Sequence, residues 1–157
     1  MEDKSQLLQI PGNWNIPYNY TAGKTASRFL IELRDNQKIL GTKCTKCKRV
    51  FIPPRSFCES CFIAIGENAW VELGKEGTIE AFTIVPVEFP GAPKPPYAIA
   101  YVKVDGADTA IANFLEGVDL TDVRTAGKKI RIGGRAKIKF KDVREARITD
   151  FVFEYIG

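Results

Sequence analysis

All four cysteines of this chain fall in one short window: Cys44, Cys47, Cys58 and Cys61. The pattern is C-x2-C, ten intervening residues, then C-x2-C. Two thiolates at that spacing sit on one tight turn, and two such turns facing each other offer a tetrahedral set of sulfurs. In a reducing compartment disulfides are disfavoured, so a metal site is the natural reading. Four thiolates close the coordination sphere, which makes the site structural, whereas a catalytic zinc keeps a water. Zinc is the expected ion, and iron is the alternative that would imply electron transfer. Lys43, Lys46, Lys48, Arg49 and Arg55 surround the cysteines and are expected to help hold the thiolates deprotonated. So short a segment has little core of its own, and the metal is expected to supply ~10–16 kcal/mol of its folding free energy.

What is missing narrows the chemistry. The chain has 157 residues and no histidine. A His general base, a His metal ligand and any Ser-His-Asp or Cys-His nucleophile are therefore excluded. Ten Phe, five Tyr and two Trp supply ample core material, so wholesale disorder is excluded too. No apolar run approaches the ~18–20 residues of a membrane helix. The start, Met1 to Ser5, is polar and acidic and carries no secretory signal pattern. A soluble, cytoplasmic protein without membrane association is expected.

Three segments are expected: an N-terminal arm and helix over 1–37, a metal ribbon over 38–73, and a β domain over 74–157. Trp14, Tyr18 and Tyr20 read as aromatic anchors of the arm. Ala22, Ala26, Phe29, Leu30 and Leu33 follow one helix face, with Thr21 as its cap and Asp35-Asn36 as its end. A strand over 38–43 leads into the first cysteine turn, residues 50–55 cross back, and the ribbon closes near 70–73. Beyond Gly77, five strands are expected over 78–87, 97–104, 109–115, 135–141 and 151–156, with a short helix around 120–125. Five strands interrupted between the third and fourth match an OB-fold Greek-key barrel. The fold expected is mainly β, with one N-terminal helix, a zinc ribbon and a five-stranded OB-fold barrel. The loop over 86–96 holds five of the nine prolines and also Phe89.

Charge is unevenly spread along the chain. Residues 72–122 carry three basic against nine acidic residues, a net of −6, whereas residues 124–147 carry ten basic against two acidic, a net of +8. Arg135, Lys137, Lys139 and Lys141 alternate with Ala136, Ile138 and Phe140, so the strand period puts the cations on one outer face. Such a stripe would attract phosphates, nucleic acid or an acidic partner. Along 97–104 both faces are apolar. Ala98, Ala100, Val102 and Val104 fill one, and Tyr97, Ile99 and Tyr101 form another that a helix, the ribbon, a partner or an apolar ligand is expected to cover.

The order of Ser27-Arg28-Phe29-Leu30, Ile39 to Cys44, Cys47, Pro53-Pro54-Arg55, Cys58, Cys61, Trp70, Thr83 and Pro96 to Ala100 resembles a known family. It is the family of rubredoxin-like zinc ribbons fused to an acyl-CoA-associated OB-fold. One departure stands out. Rubredoxin-type turns place Gly after the second cysteine, whereas Lys48 and Phe62 stand there in this chain. That disfavours the amide-to-sulfur geometry of an iron carrier and favours zinc. The resemblance implies a non-catalytic acyl-CoA-binding scaffold in lipid metabolism, associated with a thiolase or an HMG-CoA synthase-like enzyme. The residues expected to contact the ligand are Phe89, Tyr97 and Tyr101 for an apolar groove and Lys128, Lys129, Arg131, Arg135, Lys137 and Lys139 for phosphates. A single-stranded nucleic-acid-binding module is the alternative.

Overall fold

A computed structural model describes residues 8–157. Met1 to Ser5, on which the expectation of no signal peptide rests, lie outside the described residues. Helix α1 (Gly23–Asn36) is followed by the ribbon strands β1 (Leu40–Lys43), β2 (Val50–Phe51), β3 (Phe57–Cys58), β4 (Ile63–Ala64) and β5 (Trp70–Glu72). The barrel strands are β6 (Glu76–Val85), β7 (Tyr97–Val104), β8 (Ile111–Glu116), β9 (Arg135–Phe140) and β10 (Phe151–Tyr155), with α2 (Val123–Ala126) between β8 and β9. In the ribbon β1 pairs antiparallel with both β2 and β5, and β3 pairs with β4. The barrel runs β10-β8-β7-β6-β9 and closes through the antiparallel β9–β10 pair.

The strands bury what their period predicts. Ala98, Ala100, Val102 and Val104 point into the barrel, as do Ala136 and Ile138. A register shift between Ile79 and Ala81 then sends Phe82 and Ile84 inward, opposite Ala100 and Ala98. Gly77 marks the tightest approach of β6 to β7, where a Cβ would lie 2.5 Å from the Lys103 carbonyl oxygen.

Helix α1 starts one residue later than the sequence pattern indicates. Ala22 is the capping residue and offers no side-chain bond, while Thr21 Oγ1 accepts from the Gly23 N–H at 3.3 Å. The helix ends as expected, at Asn36, with Gln37 in the left-handed region. Phe29 and Leu33 are its buried residues. They join one core that runs through Leu40, Val50, Ile52 and Leu73 of the ribbon into Val102, Val104, Phe151 and Phe153 of the barrel. Backbone bonds stitch the same junction: the Gly74 N–H donates to the Asp105 carbonyl at 3.0 Å, and the Asp108 N–H to the Val50 carbonyl at 2.8 Å. Thr109 Oγ1 both accepts from the Ile52 N–H and donates to the Ile52 carbonyl.

The arm differs from expectation. Trp14, Tyr18 and Tyr20 anchor nothing among the described residues, being 88%, 78% and 81% exposed.

Asn113 is the polar pin of barrel closure. Buried on β8, it donates through Nδ2 to the carbonyls of Ile148 and Phe151, both at 2.9 Å. Its Oδ1 accepts from the Phe114 N–H at 2.8 Å. Asn113→Ala strands two carbonyls and one amide, and is expected to cost about 1–3 kcal/mol of stability in a denaturant titration.

Candidate metal centre and surface sites

The two cysteine turns are built alike. The Lys48 N–H donates to the Cys44 carbonyl at 3.0 Å, and the Phe62 N–H to the Cys58 carbonyl at 2.9 Å. Lys48 and Phe62 adopt φ of 66° and 55°, the left-handed conformation that glycine reaches without strain. This corrects the inference drawn from the missing glycines: the turn geometry survives with a lysine and a phenylalanine in those places. The departure therefore does not discriminate between zinc and iron.

The four sulfurs lie within 4.8 Å of one another, and Cys47 Sγ stands 3.7 Å from Cys58 Sγ. Thiolates at ~2.3 Å from a tetrahedral zinc would stand ~3.8 Å apart. The donor set thus fits a metal in number, type and spacing. Cys44 and Cys58 are fully buried and pack with Phe51 and Ile65 into a small core of their own.

The cluster's electrostatics also ask for a cation. The Cys47 backbone N–H, aided by that of Lys46, lowers the Cys44 thiol to about 6 against the cost of burial. Burial and the neighbouring sulfurs push Cys61 up to about 12. Without a metal, the Cys44 thiol is eased towards ionisation while Cys61 is held protonated. Four thiolates together require a metal ion. Three of the side-chain cations expected to support the thiolates do other work. Arg49 and Arg55 lie 5.2 and 5.0 Å from the Phe51 ring centroid and share Glu59, while Lys48 Nζ donates to the Thr45 carbonyl.

The cationic stripe is also not what its sequence indicates. Lys137 and Lys139 do point outward, but Lys137 pairs with Glu154 at 2.7 Å and Lys139 with Glu116 at 3.1 Å. Arg135 is bound by Asp105 at 2.6 Å and Glu76 at 3.3 Å, and Lys129 by Asp119 at 2.8 Å. Strand pairing has laid much of the acidic stretch against the basic one, so the stripe is largely neutralised. Lys128 and Arg131 have no carboxylate within 4 Å among the described residues.

These pairs carry a pH prediction. Arg135 holds the Asp105 carboxyl below its usual range, Lys137 does the same for Glu154, and Lys129 for Asp119. Each folded carboxyl is more acidic than its unfolded form. The stabilisation is therefore complete above the ordinary carboxylate pKa of about 4 and disappears as pH falls through the folded values. The melting temperature is expected to stay level near neutrality and to drop below about pH 4. Arg135→Gln should shallow that acid limb, as read by calorimetry across a pH series.

Tyr97, Tyr101 and Phe89 have a different setting. The outer surface of β6, β7 and β8 presents Thr83, Ile99 and Phe114 side by side, with Val85 and Tyr97 in one neighbouring row and Ala81, Tyr101 and Ala112 in the other. None of these residues is charged. Tyr97 packs edge-on against Phe114 at 5.7 Å, and Tyr101 is 46% exposed. The helix and the ribbon, two of the expected covers, lie elsewhere. A groove of about 370 Å³ opens at the end of this face between Pro93, Tyr97, Phe114, Val118 and Leu120, with Lys141 at its side. Phe89 is exposed on the proline loop and does not line the groove.

Sequence reasoning missed a cleft between α1 and the ribbon, lined by Lys24, Arg28, Thr42, Arg55 and Trp70. Its signal was the i, i+4 pair Lys24 and Arg28, on one face of the helix. Among the described residues no helix is long and apolar enough to cross a membrane.

Two family models match the chain. The rubredoxin-like zinc ribbon domain of ChsH2 matches residues 32–64, and the C-terminal OB-fold domain of ChsH2 matches residues 70–141. Among solved structures, the chain resembles a DUF35-family protein of unknown function from Sulfolobus solfataricus. The two are 27% identical over 85% of this chain and 87% of that one, with a TM-score of 0.61. It also shares its fold with a chain of an Ltp2-ChsH2(DUF35) aldolase, at 22% identity over 87% of this chain and 98% of that one, with a TM-score of 0.60. With both ChsH2 domains matched in order along most of its length, and a ribbon and closed barrel where they predict them, the chain belongs to the ChsH2 (DUF35) family of zinc-ribbon and OB-fold proteins.

Proposed function

We propose that this chain is a non-catalytic, cytoplasmic partner subunit of an enzyme that handles acyl-CoA thioesters, of the thiolase or HMG-CoA synthase type, and that its four cysteines hold a structural zinc. The observation that carries this reading is the uncharged patch on the outer surface of β6, β7 and β8, centred on Ile99 and flanked by Tyr97, Tyr101 and Phe114, with the Lys103–Glu80 pair at its edge. An OB-fold that bound a nucleic-acid backbone on that surface would need cations there. An apolar sheet surface of this kind fits a protein partner. Phe89 is exposed on the proline loop that joins β6 to β7. The aldolase assembly in which a relative of similar fold is found supports an enzyme as the partner.

Zinc bound by Cys44, Cys47, Cys58 and Cys61 would contribute folding energy and no reaction, because no coordination position stays open. With no histidine in the chain, acid–base work on the thioester falls to the partner. Co-expression with thiolase-type enzymes, followed by co-purification, tests the reading. A stable complex that Tyr101→Lys weakens about tenfold or more, at unchanged melting temperature, is the expected result. Turnover of acyl-CoA by the isolated chain would contradict it.

A further inference from the structure

The cleft beside α1 has a lining that the partner role does not use. Two adjoining hollows of about 240 and 370 Å³ share Lys24, Thr25, Ile65 and Glu67. Three cations, Lys24, Arg28 and Arg55, face the first hollow, against the single carboxylate of Glu67. The Lys24–Glu67 pair is long, at 3.4 Å, and both side chains are almost fully exposed, so it yields readily to a better anion. Arg55 is held by Glu59 at 2.7 Å on one side. Arg28 has no carboxylate within 4 Å among the described residues, and its guanidinium rests over the Trp70 ring at 4.7 Å. Beyond Trp70 a further hollow is bordered by Lys43 and Lys48 and by no carboxylate.

The backbone that carries Arg55 and Trp70 is fixed in place before any ligand arrives. Thr42 is buried, and its Oγ1 bonds both the N–H and the carbonyl of Arg55, at 2.8 and 2.9 Å. The same Thr42 stands opposite Trp70 in the β1–β5 register. One strand residue therefore sets the positions of an arginine and an indole, which lowers the ordering cost of binding. A guanidinium fork matches a phosphate, and a guanidinium stacked on an indole gives a flat, electropositive layer that suits a purine. A simple carboxylate ligand would leave that layer unused.

We propose that this cleft binds a phosphorylated adenine nucleotide, with the base stacked on the Arg28–Trp70 layer and the phosphate held by Arg55 and Lys24. The identity of the ligand as the nucleotide end of coenzyme A rests on the acyl-CoA reading above. The site itself does not. The placement moves the phosphate contacts from the stripe of β9 to the cleft between α1 and the ribbon.

The test uses the full chain carrying Trp14→Phe, which leaves Trp70 as the only tryptophan. Adenosine 3′,5′-bisphosphate is titrated while Trp70 fluorescence and heat are recorded. Saturable quenching is expected, with affinity lowered about tenfold or more by Arg28→Ala with Arg55→Ala, at unchanged melting temperature. Adenosine and inorganic phosphate should each bind about tenfold more weakly than the bisphosphate. Absence of saturation, or equal affinity in the double variant, overturns the site. Tighter binding of an oligoadenylate with a steep salt dependence overturns it in favour of nucleic acid. Acyl-CoA binding that survives the double variant overturns the site and leaves the partner role standing. Loss of enzyme association with bisphosphate binding intact overturns the partner role alone.

Discussion

Cys44→Ser is expected to abolish metal binding and to unfold the ribbon. Cys44 is fully buried, and its sulfur is one of four held within 4.8 Å. A serine hydroxyl neither ionises nor softens to match a thiolate, so the ion loses one ligand in a site with no replacement. Beyond Phe51 and Ile65, few apolar groups support the turns, and the ~10–16 kcal/mol typical of a structural zinc exceeds what that small cluster supplies. The damage spreads, because Leu40, Val50, Ile52 and Leu73 belong to the core shared with the barrel. Chelator titration should show metal content falling to background in the variant. Tryptophan fluorescence should report the loss of order at Trp70. A variant that keeps its metal and its melting temperature would contradict the four-thiolate assignment.

Phe151→Ala is expected to be the most damaging single change in the barrel. Phe151 is fully buried at the start of β10, which closes the barrel against β9 and β8. Its ring meets Phe153 edge-on at 5.4 Å and Phe140 at 6.3 Å. Truncation removes the ring and leaves a cavity between them, at about 3–5 kcal/mol. In a domain of this size that lowers the melting temperature by roughly 10 °C. Phe151→Leu retains most of the volume and should lose less than half as much. Equal losses in the two variants would show that the cavity is not the cause.

The cysteine turns and the barrel strands were legible because each depends on short-range pattern. C-x2-C spacing fixes a turn, and a period of two fixes which side of β7 and β9 is buried. Helix α1 was misplaced at its start because Thr21 looks like a cap, yet its hydroxyl bonds Gly23 from one position further out. The fate of the charges was not legible. Which acid meets Arg135 or Lys139 is decided by strand order, and β9 finds β6 and β10 as neighbours only once the barrel has closed. The left-handed conformation of Lys48 and Phe62 was hidden for a related reason: the metal turn dictates it over local preference. The cleft beside α1 draws on residues far apart in sequence, and only the β1–β5 register brings Arg55 to Trp70 by way of Thr42.

The proposed role needs a metal-held ribbon seated on a barrel that presents surface to others. Elemental analysis of the purified chain, combined with native mass spectrometry, tests this most directly. One zinc per chain in a colourless protein is the predicted result. A folded chain that carries no metal, or a red one that carries iron, would contradict it.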